Sequence, residues 1–443
     1  MPSASTPEHM SPGLVKVAER AKAEPTARFH SLAHLIDEGA LRRAYDRIRK
    51  DAAVGVDGIT KEDYGQDVEV KLHDLHQRLV TKRYRHQPIR RVHIPKGRDQ
   101  TRPIGISCVE DKIVQDALRE VLDAVYEQDF LECSYGFRRK RRAHDALTVL
   151  DRAAIRGEAN WVIEADIVSF FDSIDRAELV KMLELRVPDG SLHRLIGKCL
   201  HVGVLDGDSF TTPDVGTAQG SVLSPLLGNV YLHYALDLWL EHEVKPRLRG
   251  KATLVRYADD FVIGFQLRDD AERVMMVLPK RMQRFGLTLH PDKTRIFDFR
   301  RPPRGQDGGK GPSTFDFLGF TLFWRRSRNG VWSVGCKTRR ARLARAIMAA
   351  YDWCRSHRHE PIKEQHVALK RRIQGHMNYF GIRGNMRSLD RLVYHVKRAW
   401  LKWLNRRSQH GGMGWDRFQD LLLDYPLPRP RVMVASNWVA WSP

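Results

Sequence analysis

The sequence is poor in cysteine and in acid, and it has no long apolar run. Its five cysteines are Cys108, Cys133, Cys199, Cys336 and Cys354, and no two form a CxxC pair. That spacing excludes a zinc ribbon and the Cys-pair zinc site carried by some nuclease domains. Scattered cysteines in a chain this long suit a reducing compartment, so a cytoplasmic location is expected. No stretch of about 18 apolar residues occurs and the N-terminus has no apolar signal core, so no membrane span is expected. An HExxH pattern is also missing; His144, His290 and His376 are scattered, which argues against a histidine-held metal. Gly55-Val-Asp-Gly58 lacks the Gly-Lys-Ser/Thr ending of a phosphate loop and reads as a turn. No internal repeat is found.

The shortage of acid points to a partner. Lys and Arg number 75 against 54 Asp and Glu, a formal charge of +21. A balance that basic suits a polyanion, and nucleic acid above all. The excess is concentrated: residues 325–409 hold 22 Lys and Arg but only Asp352, Glu360, Glu364 and Asp390 as acids. Like charges on neighbouring turns repel, so this segment needs something negative beside it, RNA or DNA. Trp353, Tyr379, Phe380, Tyr394, Trp400 and Trp403 interleave with the cations, most of them as bundle core.

Apolar residues make up 42% of the 443, enough for real cores, and the length exceeds what one compact core serves. Residues 1–25, rich in Ser, Pro, Ala and charge, read as a disordered tail. A first helix is expected at 35–48 and a polar one ending near 82. Ile89, Val92 and Ile94 alternate before a Pro-Lys-Gly turn, giving a hairpin over 88–107. Ile113, Val114, Ala117, Leu118, Val121, Leu122 and Val125 form a helical stripe over 110–128. Trp161 to Asp166 reads as a buried strand ending in an acid, and 222–243 as an apolar helix. Strands at Thr253–Arg256 and Phe261–Phe265 and a helix at 269–285 follow. Residues 300–313 form a Gly/Pro-rich loop, with strand-like residues at 315–323. Three helices are expected near 338–356, 361–375 and 386–408.

The sharpest chemical feature is Tyr257-Ala258-Asp259-Asp260 between two apolar strands. Adjacent carboxylates repel, and no cation stands inside the turn to offset them. Flanks this apolar place the acids at the edge of a buried sheet, where a divalent cation is the natural way to neutralise them. Asp166 ends another buried strand. If the two strands are neighbours, Asp166 and Asp259 face one another and can hold two Mg²⁺ ions about 4 Å apart, as phosphoryl transfer requires. Asp175 reads as a helix N-cap and Asp172 as structural.

These residues belong to an ordered set. Arg91–Ile106 contains Ile-Pro-Lys and Arg-Pro-Ile-Gly-Ile; Ser134-Tyr-Gly-Phe137 follows, then Glu164-Ala-Asp-Ile-Val-Ser-Phe-Phe-Asp172. Next come Gly216-Thr-Ala-Gln-Gly-Ser-Val-Leu-Ser-Pro225, the Tyr-Ala-Asp-Asp turn, Gly286-Leu-Thr-Leu-His-Pro-Asp-Lys-Thr-Arg295 and Phe315-Asp-Phe-Leu-Gly-Phe320. In this order the blocks resemble group II intron-encoded reverse transcriptases. Arg372-Ile-Gln-Gly-His-Met-Asn-Tyr-Phe380 and Trp400-Leu-Lys-Trp-Leu404 are similar to that family's maturase, or thumb, domain.

The resemblance implies an α+β right-hand polymerase. Fingers and palm, with an antiparallel sheet, would occupy 26–325; an α-helical thumb/maturase (X) domain 326–410; and a short extension 411–443, without the Cys and His pairs of an H-N-H nuclease. It implies catalysis by Asp166, Asp259 and Asp260, with Asp166, Asp259 and the carbonyl of Ile167 holding two Mg²⁺ ions, Mn²⁺ being a possible substitute. Lys96, Arg102, Phe171 and Gln219 would bind the incoming nucleotide, Phe171 by blocking a ribose 2′-OH. Arg371, Arg372, Lys397, Arg398 and Lys402 are the candidates for RNA contact. Lys293 lies in the sixth block with no contact assigned. Ala218 stands where the family usually has proline, and Arg139-Lys140 replace a usual Pro-Gly. The implied partners are an intron RNA template, a DNA primer or target, and dNTPs. Two alternatives stay open: a domesticated relative serving phage defence or spacer acquisition, and a splicing cofactor without catalysis.

Overall fold

The computed structural model describes residues 10–95, 101–207, 209–211, 216–217, 220–303, 313–326, 330–407 and 412–434. It begins with α1 (Pro12–Ala23), inside the stretch read as a disordered tail. Ser11 caps the helix by accepting from Leu14 N (3.4 Å), and Pro12 presets its first turn. Leu14 and Ala21 are buried, with Val17 and Ala18 packed beside them. The tail reading is therefore corrected for 10–25: a helix-spaced apolar stripe lies hidden among the charges. Residues 1–9 lie outside the described ones.

Next come α2 (Glu38–Arg47), α3 (Lys61–Gly65) and α4 (Val68–Val80), then the expected hairpin of β1 (Ile89–Pro95) and β2 (Thr101–Ile106). The long helix α5 (Val109–Asp129) is the axis of the larger core. All seven residues of its expected stripe, from Ile113 to Val125, are fully buried. Its buried acids are paired: Asp116 with Arg47 (2.5 Å) and Arg119 (2.8 Å), and Glu120 with Arg43 and Arg47. Unpaired, each would carry an uncompensated desolvation cost.

The chain continues through α6 (Ala143–Ile155), β3 (Trp161–Asp166), α7 (Phe170–Ser173), α8 (Arg176–Glu184) and α9 (Gly190–Leu200). Asp175 caps α8, as expected, accepting from Ala177 N (2.8 Å) and Glu178 N (3.0 Å). The short strands β4 (Val204–Asp206) and β5 (Ser209–Thr211) extend the first hairpin into a sheet ordered β2-β1-β4-β5, in which β1 and β4 run parallel. Helix α10 (Ser224–Leu232) runs on through wider π-type turns to Val244. Then β6 (Ala252–Tyr257), β7 (Asp260–Phe265), α11 (Arg268–Arg284) and β8 (Arg295–Asp298) complete a four-stranded antiparallel sheet ordered β6-β7-β3-β8.

A third sheet, β9 (Phe315–Phe317), β10 (Phe320–Arg326) and β11 (Trp332–Thr338), corrects the expected boundary at 325/326. β10 and β11 pair from Phe320–Thr338 to Arg326–Trp332, so a cut there would split one hairpin. The helical unit begins after it, with α12 (Arg340–Ser356), α13 (Ile362–Phe380) and α14 (Met386–Leu404), close to the three expected helices.

A fourth helix, α15 (Trp415–Asp424), lies in the stretch expected to be a bare extension. Phe418 is fully buried with its ring edge-on to Trp400, 5.7 Å between centroids. Asn405 clips the connection, donating to Met413 O (2.9 Å) and accepting from Met413 N (2.8 Å). That extension is thus, over 412–424, part of the bundle.

The bundle is docked on the sheets. Tyr379 and Phe380, at the end of α13, pack on Phe320 with centroids 5.6 and 5.0 Å away. Tyr379 donates to Leu318 O (2.9 Å), and His144 bonds the Tyr379 carbonyl (2.8 Å). Among the described residues no helix is long and apolar enough to cross a membrane.

Candidate active site

The central sheet brings the acids together. β3 and β7 pair in register, with Asp166 opposite Asp260, while Tyr257 pairs with Asp260 across the β6–β7 turn. Asp259 occupies that turn, which closes through Ala258 at φ +58°. The loop before β8 pairs with the end of β3: His290 N donates to Asp166 O (2.8 Å) and Val168 N to Thr288 O (2.9 Å). Those bonds flank Ile167, so its own carbonyl points away from that loop, toward the side where β7 and the Asp259 turn lie.

The cluster is short of positive charge. Burial pushes the Asp260 carboxyl up to about 7, with Asp259, Glu164 and Asp166 adding repulsion. Burial also raises Asp259, helped by Asp166 and opposed by Arg102 and Arg256. Glu164, two residues before Asp166 on the same strand face, is pushed up to about 7, by burial first. Strand alternation could have singled it out.

Lys293 and Arg256 bear on the cluster, and the sequence reading had given neither a contact there. Lys293 Nζ donates to Asp166 Oδ2 (2.5 Å). No cation stands inside the turn itself, but Arg256, fully buried on the flanking strand β6, braces it. Its guanidinium donates to Asp237 Oδ1 and Oδ2 (2.8 and 2.6 Å), Asn229 Oδ1 (2.9 Å), Ser134 Oγ (2.8 Å) and Ala258 O (3.1 Å). The last bond holds the residue that precedes Asp259. The signal was the turn's own flank: a cation inside an otherwise apolar strand.

The other expected site residues divide. Burial raises both Asp259 and Asp172, and Arg102, at the mouth of the first hairpin, is close enough to oppose that rise in each. Phe171 is half-buried, ring against Phe170 (5.2 Å) and beside Gly228, and its carbonyl accepts from Thr217 N (2.7 Å). Gly220, at φ +114°, lies so close to Gly105 that a side chain would strike the latter's carbonyl at 2.4 Å; Gly220 and the first hairpin thus meet. Lys96, Ala218 and Gln219 lie outside the described residues. Gln115 carries the stretch after them: its side-chain oxygen accepts from Ser221 Oγ and Val222 N, both at 3.1 Å.

Of the RNA-contact candidates, Arg398 and Lys402 share one groove with Tyr351 and Trp415, and Lys402 donates to Tyr351 Oη (2.8 Å). Arg371 and Arg372 project from α13, Arg372 over the Trp353 ring (5.2 Å). Lys397 is half-buried and does not line that groove.

Carboxylate and carbonyl oxygens are hard donors that suit Mg²⁺, and the crowded charge is what a divalent cation relieves. As the side chains stand, no three Asp, Glu, His or Cys among the described residues converge closely enough to hold an ion. Asp166 meets Lys293 through Oδ2, so Lys293 and an ion would compete for that oxygen.

Residues 94–322 match the family described as reverse transcriptase (RNA-dependent DNA polymerase). The chain is 32% identical to Protein YkfC of Escherichia coli K12 over 354 residues, covering 71% of this chain and 88% of that one. The chain belongs to the reverse transcriptase family. It is also 36% identical to the group II intron-encoded protein LtrA of Lactococcus lactis over 191 residues, 43% of this chain and 32% of that one. A putative COX1/OXI3 intron 1 protein of Saccharomyces cerevisiae is 27% identical over 304 residues, 58% of this chain and 36% of that one. The chain thus spans nearly all of YkfC but about a third of these two intron-associated relatives. As a reverse transcriptase it is an RNA-directed DNA polymerase on a palm and fingers scaffold, and its family works with divalent metal.

Proposed function

We propose that this reverse transcriptase copies the RNA of a group II intron into DNA, and that its helical unit is a thumb/maturase domain that binds the same RNA and assists its splicing and mobility. The observation that carries the first part is the register that sets Asp166 opposite Asp260, with Asp259 in the turn between β6 and β7. Asp166, Asp259 and the Ile167 carbonyl are the donors for two Mg²⁺ ions, with Asp260 a secondary acid. Bound there, the ions would lower the pKa of the attacking hydroxyl and stabilise the leaving pyrophosphate oxygen.

The chain's own residues do the positioning. Arg102 and Lys96 grip the triphosphate, since guanidinium and ammonium suit phosphate oxygens. Phe171 borders the sugar and excludes a 2′-OH, and Gln219 packs against the nucleotide. Arg256 holds the Ala258 carbonyl, which fixes where Asp259 points.

The intron reading rests on the likeness to intron-encoded relatives and on the basic bundle, where Arg371, Arg372, Lys397, Arg398 and Lys402 meet the RNA phosphates. Its test is excision of the host RNA at low Mg²⁺. Wild type and Asp259→Ala should both speed excision, while Gln at the five basic positions should abolish the effect and spare primer extension. If added wild-type protein leaves excision unchanged, the splicing role fails.

A further inference from the structure

Phe137 is placed where folding alone gives no reason for an aromatic residue. Its backbone is left-handed, at φ +58°, a conformation strained for a bulky side chain, and 61% of the residue is exposed. Its ring makes no aromatic contact among the described residues and joins none of the three apolar cores.

The backbone around it is rigid. Gly136 lies so close beneath the catalytic turn that a Cβ there would sit 2.3 Å from Ala258 N. Asn229 holds the Gly136 carbonyl (2.8 Å) on one side of Phe137. On the other side, buried Arg138 donates to Leu131 O (2.8 Å) and Ser134 O (3.0 Å) and pairs with Glu127 (3.2 Å). A pinned, strained backbone next to Asp259 therefore displays a bare aromatic ring to solvent.

Three residues on, the same thing happens with a cation. Lys140 is exposed and also left-handed, at φ +58°. Its neighbours Arg139 and Arg141 are spoken for, by Asp123 (3.6 Å) and Glu132 (2.7 Å). An exposed ring three residues from an exposed ammonium is a pairing that can grip a nucleic-acid strand: the ring takes a base face, the cation a phosphate.

We propose that Phe137 and Lys140 form a strand-binding contact beside the catalytic turn, Phe137 stacking on a base or sugar face of the primer–template and Lys140 meeting its backbone. The contact rests on the polymerase assignment, and it accounts for the strain: the left-handed backbone aims the ring outward.

The test pairs stability with kinetics. Phe137→Gly removes both ring and strain, so its Tm should equal or exceed that of wild type. Its KM for primer–template should rise about tenfold while kcat at saturating primer–template stays within about twofold. Phe137→Trp should keep the wild-type KM. Lys140→Gln should flatten the log–log salt dependence of primer–template affinity by about one unit. With 2-aminopurine at the primer end or in the facing template, the strand whose quenching disappears in Phe137→Gly is the one stacked. A lowered Tm with unchanged KM in Phe137→Gly would make the ring a packing element and overturn the proposal. So would an unchanged salt slope in Lys140→Gln together with an unchanged KM in Phe137→Gly. Failure of the polymerase assignment itself looks different, since wild type would then extend no primer.

Discussion

Lys293 Nζ lies 2.5 Å from Asp166 Oδ2, so the acid that ends β3 is already paired with a cation before any metal arrives. Both side chains are well exposed, at 57% and 37%, so solvent screens the pair and its net worth is about 0.2–1 kcal/mol. Lys293→Gln should therefore bind Mn²⁺ roughly twofold to fivefold more tightly in the absence of nucleotide, as read by isothermal calorimetry. Weaker binding would mean that Lys293 orients Asp166 for the ion instead of competing for it.

The raised carboxyl of Asp260 gives metal binding a pH dependence with a definite sign. A proton and a cation compete for the same oxygens, and burial with neighbouring acids pushes Asp260 up to about 7. Mn²⁺ affinity should fall as pH drops from 8 to 6, and Asp260→Asn should flatten that slope. Stability moves oppositely. The folded metal-free protein holds this proton up to about pH 7 and the unfolded chain releases it near 4, so the group's contribution declines as pH rises between those values and is constant above. Asp260→Asn should accordingly raise metal-free stability at pH 8 by on the order of 2 kcal/mol and change little at pH 4. An equal change at both pH values would contradict the burial argument.

The fully buried pair of Arg256 and Asp237 separates holding the fold from aiming the turn. Arg256→Met alone leaves Asp237 unpaired in the interior and should cost about 3–5 kcal/mol. Adding Asp237→Leu removes the stranded charge and should restore most of the stability, because an apolar pair can replace a buried ion pair. Activity should stay low, since nothing then holds the Ala258 carbonyl beside Asp259. Thermal melts and kcat on the double variant check this; recovery of both together would show the pair to be structural only.

Phe418 ties α15 to the bundle. Phe418→Ala should destabilise the protein by about 3–5 kcal/mol, because a fully buried ring leaves a cavity against Trp400. A melt shifted by less than a degree would mean that α15 is not part of the helical unit.

Much of this was legible in the sequence, for reasons that are local. The α5 stripe, the first hairpin and the strands flanking Tyr257 to Asp260 carry strong periodicity, and each formed where expected. The acids were legible because carboxylates inside apolar strands are costly without a reason. What stayed hidden is what depends on distant partners. Lys293 reaches Asp166 across 127 positions, and Arg256 gathers ligands from Ser134, Asn229 and Asp237. Helices α1 and α15 were missed because each is short, rich in charge, and buries only a narrow edge against a remote element. The strain at Phe137 has no signature in composition, since only the backbone angle reveals it.

The most direct test of the central claim, that Asp166, Asp259 and Asp260 carry RNA-templated DNA synthesis, is extension of a DNA primer on an RNA template with Mg²⁺ and dNTPs. Wild type should extend the primer, and Asp259→Ala should do so at least about a hundredfold more slowly with its fold and primer binding intact. Extension by Asp259→Ala at the wild-type rate would contradict the account.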